Sequence, residues 1–274
     1  MPLDPAEASW SSHATVAVRR YRGVDVCDET DVVIEETPVA LVYNGVPHVV
    51  MLATPLDIED FALGFSLTEG IVASLEDIES VRAFTRSDGI EVRLKIADRC
   101  EPRLADKGRN LAGRTGCGLC GAQTLKQAIK PPKRVGDTAF RTDRFQIAHA
   151  MDLLRERQRL NHLTGAIHAA GWIPANDSYH PVVREDVGRH NALDKLVGCL
   201  MRMHIPAADG FIVVTSRASY EMVQKATAAG VSLLAAISAP TGLAIRQAQM
   251  TGLTLAGFVR GQDLVVYSHP ERLI

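Results

Sequence analysis

The chain has 274 residues, 46% of them hydrophobic, with 30 basic and 32 acidic side chains and a formal net charge of −2. That balance removes any global electrostatic case for nucleic acid or an anionic membrane, and the apolar content excludes wholesale disorder. No apolar run approaches the roughly 20 residues of a membrane span, and five cysteines, an odd count, fit a reducing cytoplasm better than a secreted disulfide framework.

The first stretch, MPLDPAEASWSS, lacks the basic and apolar regions of a signal peptide and reads as a frayed tail over residues 1–12. VALVYNGVPHVVMLA then predicts a hairpin, because Asn44-Gly45 sits between two β-branched runs and both residues tolerate positive φ. Thr54-Pro55 followed by Asp57 reads as a helix start with proline at the first helical position. The helix carries Ile58, Phe61, Ala62 and Phe65 on one face, up to Gly70. SVRAFTRSDGIEVRLKI predicts a second hairpin turning at Asp88-Gly89. From Cys100 to Arg114 the chain is polar and aperiodic, and a short helix from about Ala122 is stopped by Pro131-Pro132.

That double proline and the following KRVGDTA mark a boundary between an α+β part, residues 13–135, and a second part, residues 136–274. The second part opens with a helix over Arg144 to Leu160, a strand AIHAAGW and a strand around Pro181 to Arg184. An amphipathic helix follows in EDVGRHNALDKLVGCLMRM, with Met201 and Met203 as core fillers. Strands GFIVVT, VSLLAAI and TLAGFV then alternate with helices SYEMVQKATAAG and TGLAIRQAQMTG before a last strand LVVYS. Apolar strands alternating with helices predict an α/β fold with a mixed, mainly parallel sheet covered on both faces.

The stretch GRTGCGLCGAQTLKQAIK carries two signals. As Gly116, Gly118 and Gly121 it is a GxGxxG, but the polar CEPRLADKGRNLAGRT precedes it where a dinucleotide fold requires a buried strand. As Cys117 and Cys120 it is a CxxC. A structural zinc site wants four ligands, which Cys100, His162 or His168 would have to complete in space. A zinc deaminase wants an H-x-E upstream, and the one H-x-E here is His269-Pro270-Glu271. A helix start near Ala122, together with Arg109 and Arg114, favours thiolate over thiol, and thiolate is the form that attacks sulfur. The glycines leave room for a large partner.

GRTGCGLCG, together with FALGFSLTEGI, TGAIHAAGW, REDVGRHNALDKLVG, SRASYEMVQKA, ISAPTGLAIRQA and TLAGFVRG, resembles the FdhD family of formate dehydrogenase accessory sulfurtransferases, from about Phe61 almost to the C-terminus. The resemblance implies a cytidine deaminase-like α/β/α second domain. It further implies that sulfur passes from a cysteine desulfurase, as a cysteine persulfide, to bis-molybdopterin guanine dinucleotide bound for formate dehydrogenase. Cys117 matches the cysteine that carries the persulfide and Cys120 its companion. The family's cofactor stretch falls on Phe258, Val259, Arg260, Gly261, Gln262 and Asp263, and a homodimer is compatible with the family.

A large anionic cofactor needs phosphate donors, and in an open α/β sheet these sit where strands end and helices begin. Ser216, Arg217 and Ser219 follow one strand, Ser238 and Thr241 the next, and Arg260 the last. Arg217 and Arg260 are candidates for bidentate phosphate contacts and Asp263 for a guanine edge. For the serines and Thr241 the competing reading is ordinary helix capping. In EDVGRHNALDK, Asp194 and Lys195 read as an ion-pair cluster, while His190 is placed to carry a proton or contact the cofactor. The alternative function is a chaperone that binds guanine nucleotide cofactor and inserts it without sulfur chemistry.

Overall fold

The computed structural model describes residues 10–108, 133–136, 140–176 and 178–274, with backbone only for 105–108. Cys117 and Cys120, with Arg109, Arg114 and the helix expected from Ala122, lie outside the described residues.

The chain begins with a long antiparallel ribbon, β1 (His13–Arg22) and β2 (Asp25–Ile34), turning at Gly23 with φ 63°. Trp10, which the sequence places in a frayed tail, instead packs beside the first core and donates its indole N–H to Gly89 O at 3.1 Å. β3 (Thr37–Tyr43) and β4 (Val46–Ala53) form the expected hairpin, with Asn44 and Gly45 both at positive φ. β5 (Ile78–Arg86) and β6 (Gly89–Ile96) form the second, and the four strands order as β4-β3-β6-β5.

Helix α1 (Ile58–Thr68) covers one face of this sheet, with Phe61, Ala62 and Phe65 buried against Val39, Leu41 and Val92. It starts three residues later than Pro55. Thr54 is held extended from outside: its N–H donates to Asp186, its C=O accepts from Lys195 Nζ at 2.8 Å, and its hydroxyl accepts from Val187 N. Asp57, left-handed at φ 52°, then turns the chain into the helix. The stretch read as aperiodic contains α2 (Glu101–Gly108), a short helix without an apolar stripe to announce it.

The second half has a six-stranded sheet ordered β12-β11-β10-β9-β7-β8. The strands are β7 (His168–Pro174), β8 (Val182–Asp186), β9 (Gly210–Val214), β10 (Leu233–Ala236), β11 (Thr254–Arg260) and β12 (Asp263–Ser268). The fold is α/β, as the alternation predicts. In this sheet parallel pairing is confined to β9, β10 and β11, and β7, β8 and β12 join antiparallel, so the sheet is mixed but not mainly parallel as expected. The reason is that β7 and β8 form a hairpin with no crossover helix, and β12 returns from β11 through a tight turn.

Alternate side chains face two helical layers. Phe211 and Val213 pack with Ile147, Met151 and Leu154 of α3 (Arg144–Glu156). Ile212 and Val214 pack toward α5 (Arg189–Arg202), α6 (Tyr220–Ala228) and α7 (Gly242–Thr251). The single helix expected from Arg144 to Leu160 breaks at Arg157. A short α4 (Arg159–Thr164) restarts there because Glu185 accepts from the amides of Leu160 and Asn161, both at 3.0 Å. Met201 packs partly against the core, but Met203, at the last turn of α5, is 55% exposed and is not a core residue.

α5 is buried on nearly every side because the sheet lies on one flank and α1 on the other. At the crossing, a Cβ on Gly64 would fall on the Asp194 carbonyl and one on Gly198 on the Asp60 carbonyl, so the two backbones touch. A helix buried all round cannot leave charge unpaired. Lys195 Nζ lies 2.7 Å from Asp186, and Lys225 Nζ 2.8 Å from Asp194 and 3.2 Å from Glu69, while Thr68 donates to Asp194 at 2.6 Å. Asp194 and Lys195 are therefore an ion-pair cluster, and it spans the seam between the halves.

Candidate strand-end anion site

β9, β10 and β11 run parallel, so their carboxyl ends share one rim of the sheet. β7 runs the other way, which brings its first residue, His168, to the same rim opposite Asp186, the last residue of β8. Hydrogen bonds join the loops that leave this rim. Ala218 and Pro240 form an isolated parallel bridge, Thr241 N donates to Ala218 O at 3.1 Å, and Phe258 N donates to Ser238 O at 3.2 Å.

Phe258 is the most distorted residue of the rim. It adopts φ 53° inside β11, where the register with β12 shifts between Gly257 and Arg260. Left-handed backbone costs a residue with a side chain about 1 kcal/mol or more, so surrounding structure must enforce it. It does: a side chain at Gly257 would meet Pro240, Ser238 O and Tyr267, at 2.9, 3.1 and 3.2 Å, which presses β11 against the loop after β10. The bulge turns Phe258 outward, 40% exposed, and returns Val259 to the core at 0%. Val259 thus faces away from any ligand. Arg260 and Asp263 pair across a two-residue turn, Gly261 (φ 56°) and Gln262, and all four are exposed.

Of the remaining candidates, Ser216 is buried and its hydroxyl donates to Arg217 O at 3.1 Å, while Thr241 accepts from Ala244 N at 3.2 Å. Thr241 therefore caps α7. Ser238 contributes the carbonyl that holds Phe258. Arg217 is exposed, and neither it nor Arg260 has an ion-pair or side-chain hydrogen-bond partner among the described residues.

His190 is 8% exposed, with Nε2 2.9 Å from Glu221 Oε2 but off the line of a hydrogen bond. This contact pins the first turn of α5 to the first turn of α6. Neither helix has a side-chain cap: the N-cap residues are Gly188 and Ser219, and the buried Ser219 hydroxyl has no partner. Arg189 Nε is likewise buried and unpartnered. His168 is held below the ordinary histidine pKa, first by burial and then by Arg189 and His190, with Asp186 opposing. Two uncapped helix starts, two guanidiniums without partners among the described residues and a third with an idle donor are the groups an anion would meet at this rim, and an outward aromatic ring beside them offers a stacking face.

Glu221 is the residue that sequence reasoning missed. An acid in a first helical turn is an ordinary complement to the helix dipole, so nothing local singles it out. Cys100 is buried in the first core next to Asp77, away from the rim, and its thiol is pushed up chiefly by that burial. Among the described residues no three His, Cys, Asp or Glu side chains could hold a metal together, and no helix is long and apolar enough to cross a membrane.

Comparison with known proteins agrees with this architecture. The chain is 50% identical over 273 residues to a sulfur carrier protein FdhD of Bordetella bronchiseptica, covering 99% of this chain and 98% of that one. It is 52% identical over 273 residues to the protein of that name from Cupriavidus necator, covering 99% and 94%. A solved structure, described as a formate dehydrogenase accessory protein from Desulfotalea psychrophila, superposes with a TM-score of 0.76 at 21% identity. That match covers 96% of this chain and 99% of the other, and shows the shared fold. The FdhD/NarQ family model matches residues 34–274, and the chain belongs to that family.

Proposed function

We propose that this protein is a sulfur carrier in formate dehydrogenase maturation, and that the strand-end rim holds the nucleotide part of its cargo, bis-molybdopterin guanine dinucleotide. The name borne by its relatives supports sulfur carriage. The observation that carries the cargo reading is the rim around two uncapped helix starts: among the described residues the buried Arg189 Nε and Ser219 hydroxyl have no partner, and the exposed Arg217 and Arg260 have none beside them. Buried polar atoms in native proteins are nearly always satisfied, so a concentration of unsatisfied ones points to a bound group. Phe258 supplies the face for a flat base, Arg217 and Arg260 bind phosphate oxygens, and Asp263 accepts from the guanine edge.

Cys117 thiolate attacks the outer sulfur of a cysteine desulfurase persulfide. One sulfur–sulfur bond forms as another breaks, the desulfurase cysteine leaves as thiolate, and Cys117 is left as persulfide. Cys120 thiolate then attacks the Cys117 sulfur: the Cys117–Cys120 disulfide forms as the S–SH bond breaks, and the outer sulfur leaves as hydrosulfide, the reduced form in which the molybdenum of the cargo would receive it. His190 is placed to exchange a proton at the rim.

The test has two arms. Calorimetry with GDP is expected to give one saturable site, weakened about tenfold or more by Arg217→Glu or Arg260→Glu. Incubation with a cysteine desulfurase and cysteine is expected to add one sulfur to the Cys117 peptide by mass spectrometry. Cys117→Ala should abolish sulfur delivery and leave GDP affinity intact. Full formate dehydrogenase activation by Cys117→Ala would overturn the sulfur chemistry and leave the insertion chaperone. GDP affinity indifferent to both arginines would overturn the rim.

A further inference from the structure

A second concavity lies away from the rim, along the free edge of β8. Its volume is about 810 Å³, in the range of small-molecule sites. Leu56 and Asp57 wall it from the first half, Arg157 and Arg159 from the break between α3 and α4, and Cys199 and Met203 from the end of α5.

An open edge strand would ordinarily invite an extended peptide. Here the alternate carbonyls that such a peptide needs are occupied. Pro181 O accepts from Arg157 at 2.8 Å, Val183 O from Arg184 at 3.0 Å, and Glu185 O from Lys195 at 3.4 Å. A peptide strand would have to compete with these side chains for the edge, which favours an occupant held by side-chain contacts.

The charges of the cavity are unequally committed. Arg184 is held by Asp60 at 2.9 Å and Asp57 at 3.4 Å, and donates to Cys199 Sγ at 2.9 Å. Both Glu185 oxygens are taken by the amides of α4. Arg159 has no ion-pair or side-chain hydrogen-bond partner among the described residues. Beside that free guanidinium the walls are apolar and wet, with Leu56 44% and Met203 55% exposed.

We propose that this cavity binds a small organic anion, an apolar body carrying a single carboxylate, sulfonate or phosphate that pairs with Arg159. Arg157 adds its remaining donors, and Leu56 and Met203 enclose the body.

The probe is 8-anilinonaphthalene-1-sulfonate, titrated into the whole protein and followed by fluorescence. One saturable site is expected, with Arg159→Glu weakening it about tenfold and Arg159→Lys much less. Met203→Asp should weaken it as well. GDP should not displace the dye, which separates this cavity from the rim, and inorganic phosphate without an apolar body should compete poorly. Non-saturating fluorescence, affinity unmoved by Arg159→Glu, or displacement by GDP would each overturn the assignment.

Discussion

The seam between the two halves and the rim of the second sheet are both rich in charge, and they treat it in opposite ways. At the seam Lys195 and Lys225 are buried and each meets a carboxylate within 3 Å. At the rim, among the described residues, Arg217 and Arg260 meet none, Arg189 Nε and the Ser219 hydroxyl are buried without partners, and Phe258 is held in a costly conformation. Charge that finds its complement inside the fold fastens the fold. Charge and strain left unanswered by the fold are what the proposed cargo would meet. The one motif EDVGRHNALDK serves both ends, with Asp186, Asp194 and Lys195 at the seam and Arg189 and His190 at the rim.

Mutations can break this contrast. The largest effect is expected from Lys225→Met, which strands Asp194 in a site where Lys225 is its counter-ion. Removing one partner of a buried pair costs about 3–5 kcal/mol, and the double variant Lys225→Met, Asp194→Leu should recover much of it in urea unfolding. Gly198→Ala comes next. Its methyl would collide with the Asp60 carbonyl and force α1 from α5, at about 3 kcal/mol, with the loss visible in the unfolding midpoint.

Asp77 gives the seam's logic a pH axis within the first half. Its carboxyl is held below the ordinary range first by the Ala73 amide at 2.7 Å and then by Arg99. A depressed folded pKa means that its stabilisation is present above the unfolded value of about 3.9 and disappears as pH falls through the folded one. Asp77→Asn should therefore cost about 2 kcal/mol at neutral pH and flatten the loss of stability on acidification. A variant with the wild-type acid limb would show that this carboxylate is idle.

At the rim the signs should change. Phe258→Gly relieves a left-handed residue and is expected to raise stability by about 1 kcal/mol while weakening GDP binding, a trade that no seam residue can show. Arg217→Glu should leave stability within about 0.5 kcal/mol of wild type and weaken GDP binding. If Arg217→Glu destabilised the protein as seam variants do, the guanidinium would have an internal structural role and the contrast would fail.

Much of this was legible locally. Asn44-Gly45 announces its hairpin because only certain residues accept the turn's φ, and residues 168–268 declare their strands and helices because burial imposes periods of two and 3.6. The candidates Ser216, Arg217 and Ser238 were named because strand-to-helix junctions are visible in the pattern, whereas Phe258 was named from the family resemblance. Other readings failed where a distant group intervened. Pro55 lost its place as the first helical residue to the grip of Asp186 and Lys195 on Thr54, and the helix after Arg144 lost its continuity to Glu185.

The amino-acid order by itself therefore determined the elements, the sequence of layers and the chemistry available at each junction, since these depend on neighbours within a turn or a strand. Only the tertiary structure decided that Glu221 meets His190, that Lys225 rather than a nearer residue neutralises Asp194, and that Phe258 turns out while Val259 turns in. Those outcomes depend on which surfaces meet across 31 residues of chain, or on what a bulge is pressed against. Local periodicity encodes the face a residue needs to bury and is silent about the partner waiting there.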